Sequence, residues 1–319
     1  MRREFLFLYD CKHSNPNGDP DQNQPRIDPA TGKCYVTDVR LKRFIRDYLS
    51  ATLGEDQILV TRLGNVPVTI KDRVAARFKD SALPDDPAAV QQALCETFVD
   101  LRLFGSPLAF NLTKKGDKLP SLTGPIQISF GESLHAVHPV NVRGTSTFTA
   151  DSEKAQGTFT DVTILPYALI GFHGVLNETA AAHTGLSEDD VALFQTALWK
   201  SVREAPSANT RSKTGQQPQL LLTITYQPGS AYHIGRLADQ VRLLPNGDLK
   251  GERQIRGPDD FRLGFGPLLD AVAAAAPLID QVDVALAPGF ATRYDELVPA
   301  LVAILGEDRV RVATPDLPA

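Results

Sequence analysis

The residues with chemical potential gather early in the chain. NPNGDPDQNQPRIDPATG, Asn15 to Gly32, holds Asp19, Asp21 and Asp28 in one short stretch. Soon after it, VTDVRLKRFIRDYL carries Arg40, Lys42, Arg43 and Arg46. Carboxylates so spaced could hold a divalent cation, and cations so spaced could neutralise phosphates. An EF-hand reading begins well, with Asp19, Asp21 and Asn23 in its first, third and fifth positions. It fails at Gln24, where the sharp turn needs glycine, and at Ala30, where the ion needs a bidentate glutamate. A catalytic magnesium site on Asp19, Asp21 and Asp28 would want a histidine or lysine partner, and none stands at a telling distance. Turn chemistry fits better. Asn15-Pro16, Asn17-Gly18 and Asp19-Pro20 are all turn formers. A rigid loop of this kind can still present Arg26 and its own backbone N–H groups to a ligand.

The cationic stretch reads as a helix. Leu41, Phe44, Ile45, Tyr48 and Leu49 recur at helical spacing, and Thr37 or Asp38 supplies the cap, with the end near Leu53. Arg40, Lys42, Arg43 and Arg46 occupy the opposite arc, diluted by Asp38 and Asp47. Such an arc is either a solvated face or a phosphate track.

Several elements must position this pair. Phe5 to Cys11 (FLFLYDC) reads as a buried strand leading into the loop. Asp86 to Phe104 reads as one helix with Val90, Leu94, Phe98 and Leu101 on its stripe, stopped by Gly105. Ile126, Ile128 and Phe130 alternate as in a strand, and the Thr-rich run from Pro139 to Pro166 reads as a projecting hairpin. YALIGFHGVL is apolar on both faces, as a central strand is. Ser187 caps a helix built on Val191, Phe194, Leu198 and Val202, and LLLTITY is a further strand. Beyond it lie an edge-like strand, VDVAL, and a helix around Tyr294–Leu305, which Pro299 should kink or shorten. The order is strand, helix, insertion, strand, hairpin, strand, helix, strand. It predicts an α+β fold, a ferredoxin-like sheet with helices on one face.

With 319 residues, 42% of them apolar, the chain can bury a large core as one domain with insertions. It has no run of about 18 apolar residues, so no membrane span is expected, and the short apolar run behind Arg2 and Arg3 is too brief for a secretory signal. Cys11, Cys34 and Cys95 form no CxxC pair, which points to a reducing cytoplasm. The net charge of −5 excludes a uniformly cationic surface but not a local basic stripe. His135, His138 and His173 show no catalytic spacing, and His173 reads as a packed core residue. No metal, cofactor or enzymatic activity is expected.

The loop and helix together resemble the N-terminal motif of the Cas-seven family, the backbone subunits of type I CRISPR surveillance complexes (Cascade), with subtypes I-B and I-C nearest. LRLFGSPL, GPIQISFGESLHAVHPV, ILPYALIGFHGVLNETAA and TRSKTGQQPQLLLTITY extend the resemblance over most of residues 4–227, while 228–319 resemble the family only loosely. The resemblance implies a modified ferredoxin-like, RRM-like palm spanning 1–319, with a helical finger or web insertion at about 55–125 and a β-hairpin thumb at about 139–165. It implies a non-enzymatic subunit, several copies of which polymerise along CRISPR guide RNA and kink out bases, leaving the rest to pair with invading DNA. The implied partners are target DNA through the guide, further copies of the chain, and the large, small, repeat-end-binding and guide-processing endonuclease subunits. It implies that Thr37, Arg40, Lys42, Arg43 and Arg46 hold guide phosphates beside Arg26, that Arg211, Ser212 and Lys213 reach the RNA from a palm loop, and that Phe148 and Phe159 are thumb wedges. The RNP motif of ordinary RRM domains is absent and only 7% of residues are aromatic, so base stacking on the sheet is not expected to drive binding. Related type III backbone subunits cleave RNA with a loop Asp. A metal-dependent endoribonuclease using Asp19, Asp21 or Asp28 is therefore the alternative.

Overall fold

A computed structural model describes residues 1–62, 66–79, 83–84, 86–106, 121–145 and 159–313. The first strand, β1 (Arg3–Ser14), buries Phe5, Phe7, Tyr9 and Cys11 on one face and Leu6 and Leu8 on the other. A strand apolar on both sides belongs inside a sheet covered on both sides. After β2 (Lys33–Val36), α1 (Asp38–Leu53) starts at Thr37, whose side chain accepts the Arg40 N–H. Its Leu41, Phe44, Ile45 and Leu49 are buried as predicted, while Tyr48 is half-buried.

A helical insertion follows: α2 (Ile70–Arg77), α3 (Pro87–Thr97) and α4 (Val99–Phe104), closed by the short ladder of β3 (Gly105–Ser106) with β4 (Leu122–Thr123). The predicted single helix over Asp86–Phe104 is broken at Phe98, which is extended with φ −109° and ψ 110°. Phe98 buries its ring among Leu59, Val74, Val90, Leu94 and Leu101, and that burial offsets the interrupted helix ladder. The break also turns Asp100 inward. Its carboxylate accepts Arg46 Nε at 2.8 Å and the N–H groups of Leu59 at 2.7 Å and Val60 at 3.1 Å, fastening the insertion to α1.

The chain returns through β5 (Ile126–Ile128), β6 (Gly131–Ala136), β7 (Val140–Thr145) and the long β8 (Phe159–Leu176). From Leu165 onward β8 pairs with β1; before that it leaves the sheet and pairs with β7, from Thr145 opposite Phe159 to Val140 opposite Ile164. This ribbon stands where a projecting hairpin is predicted. Phe148 lies outside the described residues, as does the Phe159 side chain. Next come α5 (Glu178–Thr184), α6 (Glu188–Glu204) and β9 (Gln216–Tyr226). Ser187 and Asp190 form a capping box on α6, which buries Val191, Phe194, Leu198 and Val202. The rest comprises β10 (Arg242–Pro245), β11 (Phe261–Gly264), α7 (Gly266–Ala275), β12 (Ile279–Leu286), α8 (Pro288–Arg293), α9 (Leu297–Leu305) and β13 (Val310–Ala313). Pro299 sits in the first turn of α9, whose start moves to Leu297 because proline is tolerated there.

The main sheet runs β13-β12-β9-β1-β8-β6-β2. Its centre, β9-β1-β8-β6, is antiparallel; in chain order α1 falls between β1 and β6, and α6 between β8 and β9, which is ferredoxin-like connectivity. VDVAL, in β12, is not the edge, because β13 pairs parallel to it outside. Helices also cover both faces rather than one. α1 and α6 cover the Phe7 side, while α7 and α9 close over Leu6, Leu8, Leu220 and Leu222. The physical reason lies in the double-sided apolar strands β1 and β9, which leave no face that water can wet. No described helix is long and apolar enough to cross a membrane.

Asp10 sits on the second face and accepts the Tyr167 hydroxyl at 3.2 Å. Burial lifts its carboxyl to about 6, against hydrogen bonds from Gln219 and Tyr167 that lower it. A folded-state value above the unfolded one means that ionisation opposes folding. This cost is absent below the unfolded value, grows as pH rises from about 4 to 6, and is complete above. Asp10→Asn is therefore expected to stabilise the protein by about 3 kcal/mol at pH 7 and by almost nothing at pH 4. Denaturant titrations at the two pH values check this; equal effects at both would contradict it.

Candidate nucleic-acid interface

Four pieces of chain meet at one end of the sheet: the end of β1, the loop after it, the start of α1 and the turn before β9. Strand pairing dictates the meeting, since Ser14 lies opposite Leu165 at the root of the ribbon and Cys11 opposite Gln216. The loop is stitched by its own polar side chains. Asn15 donates from Nδ2 to the Asn23 carbonyl at 2.6 Å, and its backbone N–H donates to the Ser212 carbonyl at 2.6 Å. Asn17 Oδ1 accepts the Thr37 N–H at 2.9 Å and the Thr37 hydroxyl at 3.1 Å, which ties the loop to the cap of α1.

The loop carboxylates work inside the loop. Asp19 accepts the N–H groups of Asp21 at 2.9 Å, Gln22 at 2.7 Å and Gln24 at 2.9 Å. These bonds, that of Gln22 first, hold its carboxyl below the usual range. Asp28 accepts the Ala30 N–H and the Thr31 hydroxyl, both at 2.9 Å, and is lowered mainly by the first. The predicted turn chemistry is thus what the two carboxylates do. Among the described residues no three His, Cys, Asp or Glu side chains gather as metal ligands would.

The basic residues separate by their partners. Lys42 pairs with Asp38 at 3.1 Å, Arg43 with Asp47 at 2.7 Å, and Arg46 with Asp100 at 2.8 Å. Arg46 also lies over the Phe104 ring at 5.2 Å. Arg40 makes no ion pair among the described residues. It donates from Nη2 to the Ser207 carbonyl at 2.9 Å and lies over the Phe44 ring at 4.0 Å, leaving a buried Nε without a partner. Among the described residues Arg26 Nε and Lys213 Nζ are likewise buried and without a partner, as is the Tyr9 hydroxyl. Burial, reinforced by the charge of Arg40, pushes the Lys213 ammonium down to about 8. On the same turn Arg211 is exposed and Ser212 half-buried.

The turn bearing Lys213 is held close to β1. Gly215 has φ +108°, and its carbonyl accepts the Lys12 N–H at 2.8 Å. Sequence reasoning passed over Lys12 and His13, which are exposed beside this turn; their one signal is that they end the apolar run of β1. His135 and His173 lie elsewhere. His135 is buried and stacked near Tyr167, and half-buried His173 lies 3.8 Å from the fully buried Glu4.

A sheet of ferredoxin-like connectivity with a paired ribbon at one end, and Arg26, Arg40 and Lys213 each keeping one buried nitrogen without a partner among the described residues, define the class of fold: an α+β protein. The family follows from direct comparison. The model for CRISPR-associated protein Cas7 matches residues 1–265, and the chain belongs to that family. It is 32% identical over 300 residues to the CRISPR-associated protein Cas7 of Haloferax volcanii, covering 89% of this chain and 86% of that protein. Among solved structures, a chain of a pre-nicking CRISPR RNA-guided surveillance complex superposes with a TM-score of 0.58 at 14% identity, covering 99% of this chain and 97% of that one. A chain of another CRISPR RNA-guided surveillance complex gives 0.52 at 13%, covering 95% and 99%. At that identity the likeness concerns the fold.

Proposed function

We propose that this chain is a CRISPR RNA-binding backbone subunit of a type I Cascade surveillance complex, of which several copies polymerise along one guide. The observation that carries this reading is that Arg26, Arg40 and Lys213 each keep one buried nitrogen without an acceptor among the described residues, in a chain of the Cas7 family. A sugar–phosphate backbone supplies such an acceptor whatever its sequence. The β7–β8 ribbon leaves the sheet where Ser14 pairs with Leu165 and is the proposed thumb. Target DNA reaches the subunit through pairing with the guide, and neighbouring copies and the other Cascade subunits complete the particle.

The subunit does not cut. The metal-dependent endoribonuclease reading is the weaker one, because Asp19 and Asp28 are occupied by loop N–H groups and held ionised. Magnesium-dependent cleavage of bound RNA, lost in Asp21→Ala, would restore it.

The testing experiment is charge reversal. Arg40→Glu is expected to weaken RNA binding for every guide sequence alike and to flatten the dependence of log affinity on log salt by about one unit per lost phosphate contact. A loss confined to particular sequences would refute backbone recognition at this residue. Co-expression with a CRISPR array and the neighbouring subunits should yield a multi-copy particle with one repeat-derived RNA; a nucleic-acid-free monomer would refute the assembly.

A further inference from the structure

We infer that a cavity on the second face of the sheet is a site for one nucleotide unit, a flat base carrying a single phosphate. It uses none of the cations at the end of β1. The cavity lies at the β6–β2 end of that face, and Lys33, Phe130, Glu132, Gly171, Arg236 and Asp239 are among the residues that line it. Its volume is about 480 Å³, within the range of clefts that take small ligands. Strand register places the wall. Glu132 lies opposite Tyr35 on β2 and opposite Gly171 on β8, and directly opposed residues share a face. A β-carbon added at Gly171 would come within 3.1 Å of Leu8, 3.3 Å of Ala238 and 3.5 Å of Leu134. The face is therefore the one that α7 and α9 cover farther along.

Several polar side chains of the wall are already used. The Ser129 hydroxyl donates to the Phe130 carbonyl at 3.0 Å and accepts the His173 N–H at 3.3 Å. The Ser133 hydroxyl donates to the His135 carbonyl at 2.6 Å and accepts the Cys34 N–H at 3.0 Å. His173 accepts the Leu237 N–H at Nδ1 and faces Glu4 with Nε2. Lys33, Arg236, Glu132 and Asp239 instead form no ion pair among the described residues. Arg236 is kept at the wall against its backbone preference, with φ at +47°. Glu4 accepts the N–H groups of Ile234 and Gly235, both at 2.7 Å, and His173 holds Leu237 on the other side. A left-handed arginine persists only where its surroundings over-determine it, as these bonds do.

The free groups describe the ligand. Phe130 is 56% exposed, and its ring lies 3° from parallel to that of Tyr35, with centroids 6.4 Å apart. Two near-parallel rings at a sheet margin offer the flat apolar surface on which an unpaired base stacks. Ionised carboxylates only accept, so Glu132 and Asp239 call for N–H donors such as the amino group of a base. Lys33 and Arg236 only donate, and a phosphate oxygen answers them. Two cations set against two carboxylates suit one phosphate. A triphosphate would bring its further charges against Glu132 and Asp239. The same unit is presented by an unpaired stretch of a strand and by a free nucleotide.

The test uses the full chain, with calorimetry and saturation-transfer NMR on AMP, GMP, CMP and UMP. CMP is expected to bind about tenfold more tightly than UMP, which lacks the amino group. Phe130→Ala should weaken CMP about tenfold through lost stacking. Lys33→Gln and Arg236→Gln should weaken CMP more than cytidine, which has no phosphate, and Glu132→Gln should narrow the preference for CMP over UMP. A single-stranded RNA carrying 5-iodocytidine separates the two sources. If it displaces CMP and photocrosslinks to the Phe130 segment, the site takes a nucleotide of a strand. If CMP binds and the strand does not displace it, the site takes free nucleotide. No binding of any of the four nucleotides, or CMP affinity unchanged in both Phe130→Ala and Arg236→Gln, would overturn the site while the RNA-binding reading stands. A chain that binds CMP but no RNA would overturn that reading and leave the site. Phe130 is exposed, so its truncation spares the core, and thermal melts of every variant check the fold.

Discussion

Asp100→Ala is expected to lower stability by about 3–5 kcal/mol, the usual cost of stranding one member of a buried ion pair. Asp100 is fully buried, and its two oxygens receive Arg46 and the N–H groups of Leu59 and Val60. Removing the carboxylate strands a cation and two amides at the joint between α1 and the helical insertion. The N–H groups alone cost about 1–3 kcal/mol each when left unsatisfied. Equilibrium denaturation measures the effect, and a loss below about 1 kcal/mol would show that the joint is held by other contacts. Arg46→Ala on the Asp100→Ala background should cost less than on the wild type, because the stranded charge is then already gone. If Arg46 instead holds a phosphate by itself, the single Arg46→Ala variant would lose RNA affinity with little change in stability.

The second large effect is expected at Gly215. A β-carbon there would lie 2.3 Å from the Lys12 carbonyl oxygen, and the residue sits at φ +108°. Gly215→Val must therefore both strain the backbone and push the turn away from β1, which breaks the Lys12 to Gly215 hydrogen bond. Strain of about 1–3 kcal/mol and a lost hydrogen bond of about 1 kcal/mol suggest a total near 3 kcal/mol. Gly229 is the control. It has φ +80°, but nothing lies within 4 Å of its added β-carbon, so Gly229→Val should show the backbone cost without the collision. Since the turn before β9 carries Lys213, Gly215→Val should also lose RNA affinity under conditions where the protein remains folded. Full affinity in folded Gly215→Val would mean that the placement of Lys213 does not matter to binding.

Much of the scaffold was legible in the residue order. The apolar spacing of Leu41, Phe44, Ile45 and Leu49 marked the buried side of α1, and Thr37 and Ser187 marked where two helices start. The unbroken apolar runs of β1 and β8 marked central strands, and the Thr-rich run marked the paired ribbon. These features are read locally, because helix and strand impose periods of 3.6 and 2 on whichever residues must leave water. Where the reading went astray, a distant residue intervened. The helix over 86–104 broke because Phe98 found a core among Leu59 and Val74, and the sheet acquired a second helical layer because residues 266–305 returned to cover Leu6 and Leu8.

At the interface the division is sharper. By itself the sequence determined that a turn-rich acidic loop precedes a cationic helix, and which side of that helix is dry. Asp19 as a turn residue was within its reach, since the N–H groups it accepts lie two to five residues away. Only the tertiary structure decided which cations are free. Arg46 is taken by Asp100, 54 residues distant, whereas Arg40 is bonded to the Ser207 carbonyl, 167 residues distant, and keeps a buried Nε without a partner among the described residues. Identical side chains on one helix arc thereby acquire different tasks. The charge of a residue is written in its type, but its partner is set by chain folding over long separations, and in a poorly solvated place the partner decides whether that charge is already satisfied or waits for a ligand.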